Sequence, residues 1–486
     1  MNDSSISEAP HIDSRRAFLQ RNAMGIGSVA LAWLLNQDQA HARKDFKEAK
    51  QFSLAAKPPS APARATAMIS LFQHGGPSHV DLFDPKPTLS KLDGTEYADD
   101  VKYSFVNRAS KRLFGSPWTF KQHGECGTPV SELLPYTAKI VDKIAVLRSM
   151  HTGANGHEVS IRYFHGGIPG VVGRPHFGSW LTYALGAETQ SLPAYMVLSD
   201  PGGHPVDGVN NWSNGFLPSL YQGTVLHPKE PRIANLDAPP HLRGLIQRSN
   251  LDFLRELNAR HAKAFPAETD LEARISSYEL AATMQTSARE ALDISSETQA
   301  TRRLYGIDRP ATRDYGTRCL IARRLVERGV RFVQLFHNSQ PWDNHSTIQS
   351  TLPSICEKTD QPSAALVTDL EQRGLLETTI VHWGGEIGRL PVTEDHGDPK
   401  KKGRDHNGQG FTIWMAGGGI RGGITYGETD EVGHRAVVDR VTPNDYQATL
   451  LHLFGLDHRE LAFEHGGQKH VITANRESRI VRDILS

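Results

Sequence analysis

Cysteine is scarce in this 486-residue chain: Cys126, Cys319 and Cys356 are the whole supply. They are odd in number, far apart and form no CxxC pair, so neither a disulfide framework nor a zinc ribbon is indicated. Charge of one sign is lacking too. Lys+Arg and Asp+Glu stand at 54 each, and no surplus marks nucleic acid or an anionic membrane as partner. Long apolar runs are also missing. The uncharged stretch from Ala23 to Leu35 is too short to span a bilayer as a helix, which takes roughly 20 apolar residues. No later run approaches that length, and no internal repeat is present.

What is there begins with an address. Ser14-Arg15-Arg16-Ala17-Phe18-Leu19-Gln20 sets paired arginines ahead of the apolar stretch, and Ala40-His41-Ala42 supplies a small-x-small cleavage site. Charge, apolar run and cleavage site in that order read as a twin-arginine export signal over residues 1–42. The alternative is an amphipathic helix with a chance arginine pair. The expectation is export to the periplasm or beyond, with no transmembrane segment in the mature chain. Residues 43–65, rich in Ala, Pro and Ser towards their end, read as a linker. Residues 66–486 are long enough for one large α/β domain.

Short apolar runs bounded by Gly, Pro or polar loops read as buried strands. They are Ala67–Phe72, Lys143–Leu147, Ala194–Leu198, Val330–Phe336, Thr378–Trp383 and Phe411–Met415. Helical periodicity covers Leu251–Arg303 as two helices, then Arg318–Arg328, Thr347–Arg373 and Asn444–Phe454, the last with Asn444 as N-cap. Strands alternating with helices predict a mostly parallel sheet covered on both faces. In such sheets ligands bind beyond the C-terminal strand ends.

Polar, histidine-rich clusters stand at those ends. The first is His74-Gly75-Gly76-Pro77-Ser78-His79-Val80-Asp81. The second holds His151, Asn155, His157 and His165, and the third Trp342-Asp343-Asn344-His345. The last two are Gly384-Gly385-Glu386-Ile387-Gly388-Arg389 and Gly403-Arg404-Asp405-His406-Asn407. Imidazoles and carboxylates from separate loops are what a divalent metal needs. The candidate ligands are His74, Asp343, His345, Glu386, Asp405 and His406, for zinc, calcium or manganese. Two such ions about 4 Å apart would hold a phosphoryl or sulfuryl oxygen. Arg389 and Arg404 suit an oxyanion, which guanidinium binds bidentately, and Ser78 is the candidate nucleophile. The plainer readings are a pair between Arg389 and Glu386, a turn hydroxyl for Ser78, and buried hydrogen-bonding roles for His151 and His165. Ala416–Gly423 lacks GK[ST] and opens no helix, so it reads as a turn.

His74–Ser78 with Asp81-Leu82-Phe83-Asp84-Pro85-Lys86-Pro87, then Arg148–Thr152, Asn211–Phe216, Trp342–His345, Gly403–Asn407, Ala416–Gly419 and Tyr426–Asp430, resemble the family of domain of unknown function 1501 from about Met68 to the C-terminus. The resemblance implies an alkaline phosphatase-like and sulfatase-like α/β core with helices on both faces and a helical insertion. It also implies metal-assisted hydrolysis of a phosphate or sulfate ester, on a small molecule or a polysaccharide. Two family-level features depart. Cys126-Gly127-Thr128-Pro129 does not complete the sulfatase C-x-P-x-R sequence, and Thr378–Trp383 runs into Gly-Gly-Glu where sulfatases carry Asp-His. The rival expectation is a non-catalytic binding or assembly module on the same fold.

Overall fold

A computed structural model describes residues 52–104, 109–230, 232–233, 245–265, 275, 280–281, 283–284, 287–394 and 398–486. The twin-arginine segment lies outside the described residues. Eleven strands carry the argument: β1 Ala67–Phe72, β2 Ala109–Leu113, β3 Ile144–Met150, β4 Tyr195–Leu198, β5 Thr224–Leu226, β6 Phe332–Leu335, β7 Thr379–Gly384, β8 Gly388–Glu394, β9 Gly403–Asn407, β10 Phe411–Ala416 and β11 Ile424–Tyr426. The longer helices are α1 His157–Gly166, α2 Phe177–Leu185, α3 Leu245–Ala264, α4 Arg313–Glu327, α5 Ile348–Gln372 and α6 Pro443–Leu453.

Eight strands form the central sheet in the order β11-β3-β10-β7-β1-β6-β4-β5. Every neighbouring pair is parallel except the two made by β10 with β3 and β7. The period-2 alternation of a strand sorts β1 between two cores. Ala67, Ile69 and Leu71 join the apolar cluster that holds Leu320, Ile321 and Leu325 of α4 and Leu352, Leu366 and Val367 of α5. Met68 and Phe72 point the other way, into the cluster with Phe164 of α1, Trp180 of α2 and Leu450 of α6. Burial on both faces explains why these strands read as unbroken apolar runs. The expected three-layer α/β architecture is the observed one.

Three details differ from the sequence reading. Helix α6 is capped by Thr442, not Asn444: the Thr442 hydroxyl accepts from the Asp445 amide, Asp445 reaches back to the Thr442 amide, and Pro443 fills the first helical position. Residues 52–65 do not trail as a linker. They lie along the body, with Lys57 N–H donating to Leu185 O and Ala65 N–H donating to Leu453 O. The cluster around Asp405 and His406 is not a loop but the strand β9, which pairs antiparallel with β8, and β8 with β2, in a separate three-stranded sheet. From that small sheet Arg389 reaches the carbonyls of Gly75 and Gly76, just beyond the end of β1. Among the described residues no helix is long and apolar enough to cross a membrane.

A candidate metal centre at the sheet edge

Four segments deliver the centre: the turn after β6 (Asp343 and His345), the first residue of α1 (His157), the start and end of β8 (Arg389 and Glu394), and β9 (Asp405 and His406). One oxygen is the focus. Asp343 Oδ1 lies 3.0 Å from His345 Nε2, 3.0 Å from His406 Nε2 and 3.5 Å from His157 Nε2. The two Nε2 atoms of His345 and His406 are themselves 2.9 Å apart. A tetrahedral zinc ion with bonds of about 2.0–2.1 Å separates its donors by about 3.3 Å. The observed separations bracket that value.

The far side of each imidazole is already engaged. His157 Nδ1 is 2.6 Å from Glu386 Oε1, His345 Nδ1 is 2.5 Å from Glu394 Oε2, and His406 Nδ1 is 2.7 Å from the Asn155 carbonyl. With Nδ1–H donated outward, the tautomer leaves the Nε2 lone pair facing the shared oxygen, the arrangement typical of metal-ligating histidine. Protons alone satisfy this geometry poorly. His157 Nε2 has no hydrogen-bond partner, and His406 Nε2 faces both a second imidazole nitrogen and a carboxylate oxygen. The donor set therefore fits a divalent cation. His157, Asp343 and His406 form one group able to hold an ion, and His345, Asp405 and His406 a second.

The electrostatics follow from the same contacts. Burial pushes Asp343 towards its neutral form, but the Arg389 guanidinium and the three histidines outweigh it and hold the carboxyl well below the usual range. Burial also works against charge on His157, yet the neighbouring carboxylates of Asp343 and Glu386 win and raise it to about 9. His345 is raised for the same reason by Asp343 and Glu394. His406 goes the other way: burial lowers it, and the Asp343 bond does not make up the difference.

Not every residue named from sequence arrives at this point. Glu386 stands behind His157, its Oε1 also accepting from the Gly75 amide at 3.0 Å. His74 is buried among Phe72 and Phe336, with Nε2 3.4 Å from Asn211 Oδ1. Burial depresses it to about 4. Asp405 belongs to the second group able to hold an ion and not to the first; it also accepts from the Ser104 amide at 2.6 Å and the His406 amide at 2.7 Å. Its Oδ1 is 3.8 Å from His345 Nδ1. Ser78 donates to Asp81 at 2.6 Å and is fully buried, which is the turn-hydroxyl reading. Arg404 grips Asp81 with two bonds of 2.8 and 3.0 Å, so it does not face the centre. Arg389, also sealed, is held by the carbonyls of Gly75, Gly76 and Arg404 and by Asp343, not by Glu386. The oxyanion roles expected of both arginines meet a physical obstacle: their donors are spent inside the protein.

His157 stood among the clustered histidines but not among the expected ligands, and Glu394 had no sequence signal at all. The -Asn155-Gly156-His157- spacing put a histidine at a helix start, where it is aimed at the sheet edge. Glu394 reaches His345 only through the pairing of β8 with β9.

Residues 65–485 match the model of a family described as "Protein of unknown function (DUF1501)". None of the curated proteins matches the chain. Solved structures similar to it include the PsFucS1 sulfatase from Pseudoalteromonas sp., 13% identical, covering 88% of this chain and 71% of that one, TM-score 0.35. An alkaline phosphatase from the Antarctic bacterium TAB5 is 9% identical, covering 76% of this chain and 96% of that one, TM-score 0.27.

Proposed function

The chain belongs to the DUF1501 family, and from that premise we propose that it is an exported, metal-dependent hydrolase of phosphate or sulfate esters. The observation that carries the reading is the convergence of three imidazole Nε2 atoms on Asp343 Oδ1, each imidazole with its Nδ1 tied back. His157, Asp343 and His406 would hold the ion, with His345 reaching the same oxygen. A divalent cation there supplies Lewis-acid polarisation of an ester oxygen. The protein's own groups do the rest. Arg389 keeps Asp343 ionised, while Glu386, Glu394 and the Asn155 carbonyl keep the imidazole lone pairs aimed inward. The export signal over residues 1–42 supports an extracytoplasmic place of action.

One observation favours the second reading, a non-catalytic binding or assembly module. Ser78, Arg389 and Arg404 are all committed to internal partners. Metal analysis of the purified mature chain, followed by turnover of aryl phosphates and aryl sulfates, decides between them. Bound metal with metal-dependent turnover supports the hydrolase. No turnover, with or without bound metal, leaves the binding or assembly module, and no metal at all defeats the metal-dependent hydrolase.

A further inference from the structure

Resting on the metal reading, we infer that Glu386 and Glu394 are positioning residues that set the cation affinity of the centre. Through Glu386, the Gly75-Gly76 loop also senses whether the cation is bound. Both carboxylates are buried at great cost: the Glu386 side chain is 0% exposed and that of Glu394 1%. Each keeps one oxygen, Oε2 of Glu386 and Oε1 of Glu394, without a hydrogen-bond partner. A carboxylate buried in such a place depends on its remaining contacts. For both, those contacts include the Nδ1 of an imidazole whose Nε2 faces Asp343. A carboxylate so placed fixes the ring, selects the tautomer and makes the opposite nitrogen a stronger donor.

Glu386 does one thing more. Its Oε1 is shared between His157 Nδ1 and the Gly75 amide. Gly75 has φ +106°, and a Cβ there would come within 2.6 Å of the Asp343 amide nitrogen; at Gly76, φ +79°, it would come within 2.7 Å of Ile387. The loop is thus wedged between the turn that carries Asp343 and the turn that carries Glu386. Its two carbonyls accept from Arg389, which also binds Asp343. A shift of His157 or Asp343 on cation binding has a direct hydrogen-bonded route to the Gly75 backbone.

The test uses zinc alone as probe, with the mature chain and two readouts. Zinc affinity is measured by competition with a chromophoric chelator, and backbone amide exchange is followed in the peptide covering residues 73–77. Glu386→Gln and Glu394→Gln should each weaken zinc about 10–100-fold at the wild-type stoichiometry, and Glu386→Ala more than Glu386→Gln. Saturating zinc should slow exchange over 73–77 in the wild type and in Glu394→Gln, but not in Glu386→Gln. Gln variants that bind zinc within about twofold of the wild type would overturn the positioning role, since that lies below the range expected of such partners. Wild-type exchange that ignores zinc would overturn the loop coupling. If the Ala variant does not fold, the isosteric Gln pair decides. A wild type that binds no zinc is a different failure, that of the metal reading itself.

Discussion

Two sets of histidines sit within one fold, and two of the three at the sheet edge shift opposite to those in the core. His157, His345 and His406 gather at the sheet edge around Asp343, Glu386 and Glu394. His74, His165, His176 and His382 lie against aromatic rings on the α1, α2 and α6 side of the sheet, with His165 and His176 centroids 4.1 Å apart. Burial disfavours the imidazolium in both. In the core set burial wins: His74 falls to about 4 in spite of Glu386, and His176 and His382 to about 3. At the edge, carboxylates reverse the sign for His157 and His345. Residue type says little about role here; the nearest anion decides.

The largest test of that contrast is acid. A depressed histidine binds its proton in the unfolded chain first, so stability falls as pH drops from 6.5 towards 3. Between pH 6.5 and 4.5, His176 and His382 together should cost about 5 kcal/mol. Urea unfolding at the two pH values measures it, and His382→Gln should remove about half of the loss. An unchanged slope would break the core half of the comparison.

Alkali tests the other set. His157 is raised from 6.5 to about 9, so its contribution is present below pH 6.5 and lost as pH climbs through 9. Metal-free protein should lose about 3 kcal/mol over that window, and saturating zinc should abolish the loss. Urea titrations with chelator and with zinc give the two numbers.

Asp343→Asn removes the charge on which the edge set converges. Zinc affinity, read by calorimetry, should fall by at least ~100-fold, more than for any partner behind an imidazole. A smaller drop would move the centre towards the His345, Asp405 and His406 group. The smallest effect is expected for Ser78→Ala. Loss of its bond to the Asp81 carboxylate should cost about 2 kcal/mol by urea unfolding and leave zinc affinity and any ester turnover unchanged. Abolished turnover would return Ser78 to the reaction.

Much of this was legible before folding. Strand β1 could be read from an apolar run ended by His74-Gly75-Gly76-Pro77, and Asp343, His345 and His406 from polar clusters beyond strand ends. Arg389 and Arg404 were conspicuous for the wrong reason, since a guanidinium suited to an oxyanion is equally suited to a buried carboxylate. Glu386 reads as a ligand from its place just beyond the end of β7; that it stands behind His157 Nδ1 depends on where α1 starts.

The sequence by itself determined the layered α/β plan, because strands buried on both faces and amphipathic helices leave their periods in the chain. It also determined which residue types crowd the sheet edge. Only the tertiary structure decided which of them face one another. Asp343, Glu394 and His406 come from separate segments, and whether a carboxylate lies before an imidazole's Nε2 or behind its Nδ1 is a matter of a few ångströms. That choice fixes tautomer and charge, and hence whether a histidine belongs to a metal centre or to the core.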